Sequence, residues 1–124
     1  MIEVYAEGGD KNRAMKEVTI SESDHGRVIE VVPDSRIAVR LVENPSTGYQ
    51  WDLEPPEGPV LKLGADSYQP PATSVPGAGG IRVFEFHAMS AGITFIRLRL
   101  RRSCESEHAH KIFEVAVHVR TDSG

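Results

Sequence analysis

The sequence predicts an all-β protein that folds as one antiparallel β-sandwich of about seven to eight strands. Helical periodicity is nearly absent, whereas apolar residues recur at every second position, which is the spacing of half-buried strands. Proline- and glycine-rich clusters such as "PPEGP" and "QPPATSVPGAGG" separate these runs and indicate the turns between strands. A length of 124 residues is that of a single domain.

Eight strands are predicted along the chain. Their expected ranges are 17–20, 28–32, 36–43, a strand that begins near Tyr49, then 60–63, 81–88, 93–101 and 112–120. Residues 69–80 form a long loop without regular structure, and loops of this length in compact domains are usually functional. We expect the domain to span residues 15–121, with a flexible N-terminal segment at 1–14 and a C-terminal tail at 122–124.

Alternation in the four longest runs predicts which side chains face the core. The inward sets are Ile37, Val39 and Leu41; Phe84, Phe86 and Ala88; Ile96, Leu98 and Leu100; and Phe113, Val115, Val117 and Val119. The outward residues Arg97, Arg99 and Arg101 are expected to pair with Glu85 and Glu114 on neighbouring strands. Such outward charges also oppose edge-to-edge aggregation.

Composition excludes several classes of function. The formal charge of −4 gives no basic surface for nucleic acid, and no apolar run reaches the ~18–20 residues of a membrane span. No secretory signal is visible, so the default expectation is a cytoplasmic protein, or a periplasmic or secreted one if a leader has been removed. No nucleophile elbow, paired-acid motif or metal-binding helix is present, and we expect neither enzyme activity nor a cofactor.

The stretch "NPSTGYQW" directly follows the strand at 36–43. Pro45 fixes its own φ and restricts Asn44 to extended geometry, while Gly48 can adopt a positive φ. We therefore expect a stiff, projecting loop with Ser46 and Thr47 at its tip. The only tryptophan, Trp51, should anchor the following strand in the core, with Tyr49 on the same side to brace the loop.

Two further loops carry distinctive sequences. The first, "GAGG", leads into an aromatic strand, and its glycines expose backbone donors and acceptors to an extended partner. It lacks the Gly-Lys-Ser/Thr ending of a phosphate-binding loop. The second, "LRRSCESEHAHKIF", connects the last two predicted strands. Alternate loops of a sandwich cluster at one end, so all three loops are expected to form one continuous surface.

These motifs, in this order, resemble the chagasin family of cysteine-peptidase inhibitors over roughly residues 17–120. The family's first motif, Asn-Pro-Thr-Thr-Gly-Tyr, is matched here except at Ser46, and its second, Gly-x-Gly-Gly, is matched at residues 77–80. The resemblance implies an immunoglobulin-like sandwich that inhibits papain-like cysteine peptidases reversibly and competitively. Its first loop would enter the catalytic cleft, and the other two would embrace the enzyme on either side.

Carried over residue by residue, the resemblance implies three groups of peptidase-binding residues. The first loop contributes Asn44, Pro45, Ser46, Thr47 and Gly48; the second contributes Gly77, Ala78, Gly79 and Gly80; the third contributes Arg102, Ser103, Cys104 and Glu105. No residue of the chain would perform chemistry, and the partner would be the peptidase alone.

The third motif departs from the family pattern. The family carries Arg-Pro-Trp, often followed by Glu, whereas this chain has Ser103 and Cys104 between Arg102 and Glu105. Loss of an aromatic anchor of this kind costs about 2 kcal/mol or more, and each ~1.4 kcal/mol changes affinity tenfold. We therefore expect a weakened inhibitor or one adapted to a different peptidase.

Two alternatives remain open on the sequence. One is a non-inhibitory protein-binding module of the same fold. The other is a metal- or redox-responsive protein that uses Cys104, His108 and His110, although their spacing matches no zinc signature. The single cysteine excludes an internal disulfide, so we expect a monomer, or a Cys104-linked dimer under oxidising conditions.

Overall fold

Eight strands form two stacked four-stranded sheets in the computed structural model, which describes residues 17–71, 79–102 and 110–121. The strands are β1 Glu17–Ile20, β2 Val28–Val31, β3 Arg36–Glu43, β4 Tyr49–Glu54, β5 Leu61–Gln69, β6 Gly80–Ala88, β7 Gly92–Arg102 and β8 Lys111–Val119. Two 3₁₀ turns, Glu22–Asp24 and Pro45–Thr47, complete the regular elements. Within the described ranges, no helix has the length and apolar character needed to cross a membrane.

The first sheet has the strand order β1-β3-β6-β5 and the second has the order β2-β8-β7-β4. Consecutive strands β3 and β4 therefore lie in different sheets, so the loop between them crosses from one layer to the other. The β3–β6, β5–β6, β4–β7 and β7–β8 pairs are antiparallel, whereas β1 pairs with β3 and β2 pairs with β8 in parallel. The all-β sandwich is confirmed, with parallel pairing at one edge of each sheet.

The core lies between the two sheets and contains the predicted inward residues. Phe84, Phe86 and Phe113 are its largest fully buried side chains, and Trp51 is also buried. Leu100, at the end of the inward set of β7, is half-buried against this cluster. Burial of alternate positions on both sheets is what the period-two pattern predicts.

Strand β5 is longer than the sequence predicts. It runs nine residues, through Gln69, where alternation indicated only residues 60–63. All eight residues after Leu61 are exposed or half-buried, and β5 is an edge strand of its sheet. Gln69 and Gly80, the two ends of the irregular loop expected at 69–80, therefore belong to strands, and residues 72–78 of that loop lie outside the described residues. The expected terminal segments, 1–14 and 122–124, lie outside the described residues.

The outward arginines of β7 pair with acidic residues of their own sheet. Arg97 forms ion pairs with Glu114 on β8 and Glu54 on β4, and Arg101 contacts Asp52 on β4 at 2.6 Å. The predicted pairing with Glu114 is confirmed. The predicted pairing with Glu85 is wrong, because Glu85 lies on β6 in the other sheet.

Candidate functional site

The loop of residues 44–48, hereafter the wedge loop, joins the two sheets at one end of the sandwich. Pro45–Thr47 forms a 3₁₀ turn, and Asn44 caps it in an extended conformation with φ −115°. Gly48 ends the turn at φ +83°, in the left-handed region that favours glycine. Pro45 and the three residues after it are exposed. The expected stiff, projecting loop is present.

Five hydrogen bonds inside the wedge loop fix its shape. The Oδ1 atom of Asn44 accepts from the backbone N of Ser46 at 3.1 Å and from its Oγ at 2.8 Å. The carbonyl of Asn44 accepts from the N of Thr47 at 3.1 Å and from its Oγ1 at 2.7 Å. The N of Gly48 donates to the carbonyl of Pro45 at 3.0 Å. Both hydroxyls at the tip thus hold the loop to its own first residue.

A buried carboxylate lies directly beneath the wedge loop. Glu43, the last residue of β3, has a relative exposure of 4%. Its Oε1 accepts from the backbone N of Trp51 at 2.8 Å, and the indole Nε1 of Trp51 donates to the carbonyl of Val42 at 2.9 Å. Sequence reasoning missed Glu43, although it continues the inward series of β3 and is the only acid in it.

Arg82 on β6 extends this network from the buried Glu43 towards the surface. Its Nη1 donates to Oε2 of Glu43 at 3.0 Å, while its Nε and Nη2 donate to the two carboxylate oxygens of Asp66 at 2.6 and 3.1 Å. The hydrogen bond to Asp66, opposed by partial burial and assisted by Glu43, raises the pKa of the guanidinium above its ordinary value. The guanidinium lies 3.0 Å from the carboxylate of Glu43 and offsets part of the cost of burying that side chain.

The second loop returns to the sandwich beside the wedge loop. Gly80 pairs with Glu43 in the β3–β6 ladder. A Cβ added at Gly79 would lie 3.4 Å from the Cβ of Asn44 and 3.5 Å from the carbonyl of Glu43, so the two loops approach closely at their bases. Gly77 and Ala78 lie outside the described residues.

The third loop begins on the other side of the wedge loop. Arg102, the last residue of β7, pairs with Tyr49 in the β4–β7 ladder. Its Nε donates to the carbonyl of Thr47 at 3.4 Å, and its guanidinium lies 4.6 Å from the ring centre of Tyr49. Residues Ser103, Cys104, Glu105 and His108 lie outside the described residues.

Tyr49 and His110 form a stacked pair at the base of the third loop. Their ring centres are 4.7 Å apart with an interplanar angle of 30°. Tyr49 is half-buried, and its ring contacts both Arg102 and His110. Its ring contacts brace the loop end, which is the role that the sequence suggested for this residue. Of the three residues in the metal hypothesis, His110 is the one within the described part of the chain, where no three metal-ligating side chains cluster.

The described bases of all three loops thus meet at one end of the sandwich. Glu43 and Gly80 bring the first and second loops together, and Tyr49 and Arg102 bring the first and third together. The wedge loop lies between its two neighbours, with its tip exposed. The described residues thus form an internally bonded central projection, with the base of another loop on each side.

Comparison with known proteins gives a family match and several structural neighbours. The family model described as "Chagasin family peptidase inhibitor I42" matches residues 30–119. No curated protein matches the chain. The crystal structure of the cysteine protease inhibitor EhICP2 from Entamoeba histolytica has a TM-score of 0.74 and 23% identity, and the match covers 84% of this chain and 96% of that one.

Two other solved structures share the architecture. The solution structure of amebosin has a TM-score of 0.68 and 24% identity, with 84% of this chain and 98% of that chain covered. The structure of PbICP-C in complex with falcipain-2 has a TM-score of 0.54 and 13% identity, with 85% and 88% covered. At identities this low the likeness establishes a common fold, and it agrees with the sandwich that the motifs predict.

Proposed function

The chain belongs to the chagasin family of peptidase inhibitors, and from this premise we propose that it inhibits papain-like cysteine peptidases reversibly and competitively. The wedge loop enters the catalytic cleft, and the second and third loops contact the enzyme on either side. The observation that carries the proposal is the internally bonded wedge loop, exposed between the bases of two other loops. Among solved neighbours, PbICP-C forms a complex with falcipain-2.

Stiffness of the wedge loop supports tight binding. A loop that is already fixed loses little conformational entropy on docking, so more of its contact energy appears as affinity. In this loop the ring of Pro45 restricts φ, and Asn44 accepts from both the backbone and the hydroxyl of Ser46. The loop therefore keeps its docking shape before the partner arrives.

The carbonyl groups of the wedge loop explain why a peptidase would hold it without cutting it. The carbonyl of Asn44 accepts from Thr47, that of Pro45 accepts from Gly48, and that of Thr47 accepts from Arg102. Cleavage requires a carbonyl oxygen within hydrogen-bond distance of the oxyanion-hole donors and in line with the nucleophile. Internal donors hold these three carbonyls away from that geometry, so the chain acts as an inhibitor, with no catalytic residue of its own.

The two flanking loops provide the remaining proposed contacts. We assign to the peptidase interface Gly77, Ala78, Gly79 and Gly80 on one side, and Arg102, Ser103, Cys104 and Glu105 on the other. Arg102 contacts Tyr49 and the carbonyl of Thr47, so it lies next to the wedge loop and therefore at the proposed interface. With Ser103 and Cys104 in place of an aromatic anchor, the central wedge carries a larger share of the affinity.

Titration of papain and of a cathepsin-L-like peptidase with the purified protein tests this function. A Gly48→Glu variant places a bulky anion on the wedge at φ +83°, and we expect inhibition to be lost. The matched control is Gly58→Glu, at φ +79° in the turn between β4 and β5 at the opposite end of the sandwich.

Competitive inhibition by the wild type and by Gly58→Glu, but not by Gly48→Glu, is the expected result. A folded wild-type protein that leaves both peptidases fully active at tens of micromolar would overturn the proposal and favour a non-inhibitory binding module. Addition of a chelator should leave inhibition unchanged, since no described group of side chains forms a metal site.

A further inference from the structure

The two ends of the wedge loop lack the support that a hairpin loop receives. In a hairpin, the flanking strands pair with each other, so the ladder fixes both ends of the connection. Here β3 and β4 belong to different sheets and share no ladder. The separation and direction of the loop ends must therefore be set by other contacts across the layers.

Two side chains make those contacts: the indole of Trp51 on β4 donates to the carbonyl of Val42 on β3, and the carboxylate of Glu43 accepts from both sheets. One oxygen accepts from the backbone N of Trp51, which lies on β4 in the opposite sheet. The other accepts from Arg82 on β6, in the sheet of Glu43 itself. Arg82 is held in turn by both carboxylate oxygens of Asp66 on β5. One buried side chain thus links the strand before the wedge loop to the strand after it.

A partly buried charged network of this kind contributes little to overall stability. Desolvation of Glu43 and Arg82 opposes their mutual attraction, and apolar replacements of such pairs are often neutral or stabilising. Hydrogen-bonded buried charges do, however, specify one geometry in some proteins. The position of Glu43 directly beneath the loop, at the crossing between the sheets, is where such geometric control would matter for docking.

We propose that Glu43 is a positioning residue for inhibition, whose carboxylate holds the wedge loop in its docking geometry by fixing the start of β4 against the end of β3. This inference rests on the proposed function. Glu43 is buried and does not itself touch the peptidase. Its effect is exerted through Trp51, and the residues that follow Glu43 form the wedge.

The proposal makes a kinetic prediction that distinguishes positioning from direct contact. When only a fraction of molecules has the competent loop, apparent affinity falls by that fraction. A Glu43→Leu variant with the competent loop in about a tenth of molecules would associate with the peptidase about tenfold more slowly. Its dissociation rate should stay within about twofold of the wild type, because the docked contacts are unchanged.

A Glu43→Gln variant provides the conservative comparison. An amide offers one oxygen and one NH₂ group, so it can satisfy Trp51 or Arg82 but not both. We expect its association rate to fall by about threefold, between the wild type and Glu43→Leu. If Glu43→Leu does not fold, Glu43→Gln alone tests the proposal. An unchanged association rate and unchanged loop dynamics in Glu43→Gln would overturn it.

The matched control is Val119→Ala, which opens a cavity at the end of β8 that pairs with Gly92, far from the wedge loop. It should lower stability and leave the association rate unchanged at a temperature where all variants are folded. An equal fall in association rate for Val119→Ala and Glu43→Leu would show that general stability, and not loop positioning, is responsible.

Hydrogen exchange in the free protein provides a readout that does not depend on a peptidase. The amides of Thr47 and Gly48 donate inside the wedge loop, so they should exchange several-fold faster in Glu43→Leu, while amides in the centre of β7 stay protected. Unchanged exchange at these two amides would overturn the positioning role. If the wild type inhibits no peptidase, the proposed function fails, yet this exchange result still decides the role of Glu43.

Discussion

Ser46 occupies the position at which the family motif carries threonine. Its Oγ donates to Oδ1 of Asn44 at 2.8 Å, a bond that a threonine hydroxyl can also form. The backbone N of Ser46 donates to the same atom. At this position the hydroxyl matters and the extra methyl group of threonine does not, because the side chain is exposed.

We predict opposite outcomes for two substitutions of Ser46. Ser46→Thr should leave the inhibition constant within about twofold of the wild type. Ser46→Ala removes one hydrogen bond, worth about 0.5–1.5 kcal/mol, and should raise the inhibition constant by about two- to tenfold. The measurement is competitive inhibition of papain. A Thr variant that is weaker than the Ala variant would contradict this account of the loop.

The conformation of the wedge loop could be predicted from the sequence, whereas the hydrogen-bond network beneath it could not. Pro45 and Gly48 have restricted or special backbone geometry that local rules describe, and both predictions agree with the structure. The role of Glu43 was not predicted, because alternation shows that a position faces the core but not which residues contact it there. Its partner on β6, Arg82, is 39 residues away in sequence.

Gly79 and Gly80 allow close packing at two places: Gly80 lets β6 approach β5, and Gly79 lets the second loop approach the wedge loop. A Cβ at Gly80 would lie 2.2 Å from the carbonyl oxygen of Gln69 and 2.5 Å from Oη of Tyr68, so β5 and β6 could not keep their spacing. A Cβ at Gly79 would meet Asn44 at an ordinary to tight distance of 3.4 Å. The glycine motif therefore has a packing role in addition to its proposed contact with a peptidase.

These distances predict different effects for two alanine substitutions. Gly80→Ala should destabilise the fold by about 1–3 kcal/mol, as overpacking does elsewhere, because backbone must move. Gly79→Ala should reduce the free energy of unfolding by less. Urea denaturation of both variants measures the difference. Equal stability of Gly80→Ala and the wild type would show that the ends of β5 and β6 adapt more easily than the structure implies.

Strand β5 shows why some elements resist prediction. Its sequence "LKLGADSYQ" has no sustained apolar alternation, since an edge strand that is exposed along most of its length buries few side chains. A register shift between Leu63 and Ala65 interrupts its pairing as well. By contrast, β3, β6, β7 and β8 bury most of one face, and the inward residues predicted for them are buried except for the half-buried Leu100.

In the molecule as a whole, the core provides stability and the loop end provides the proposed contacts with a peptidase. The core residues lie between the sheets, whereas the wedge loop contributes no buried side chain among residues 45–48. The two sheets determine the positions of the loop bases, and the wedge loop determines which side chains and backbone groups contact a partner. Stability and inhibition should therefore respond to different substitutions.

Leu98→Ala tests this separation. Leu98 is fully buried on β7, in register with Leu53 and Phe113. Its truncation should lower the free energy of unfolding by about 2–5 kcal/mol while leaving the inhibition constant within about twofold at a temperature where the variant is folded. Denaturation and inhibition assays on the same sample provide both values. A large loss of inhibition in the folded variant would contradict the separation.

Pairing across the whole molecule was the least predictable feature. The fold class followed from local alternation and turn residues, and the rule that alternate loops of a sandwich cluster at one end indicated which loops lie together. The parallel β1–β3 and β2–β8 pairs and the distance of Glu85 from the arginines of β7 depend on which strands share a sheet. Local sequence patterns report the face of a strand but not its neighbours.

The most direct test of the central claim is the reactivity of the peptidase's catalytic cysteine towards iodoacetamide. A wedge loop in the cleft must shield this thiolate, the reactive form of the residue. Mass spectrometry of papain separates its alkylation from that of Cys104 in the inhibitor. Saturating wild type and Gly58→Glu should slow alkylation in proportion to the bound fraction, whereas Gly48→Glu should have no effect. An unchanged alkylation rate in papain that is saturated and inhibited by the wild type would contradict the account, because the inhibitor would then bind outside the cleft.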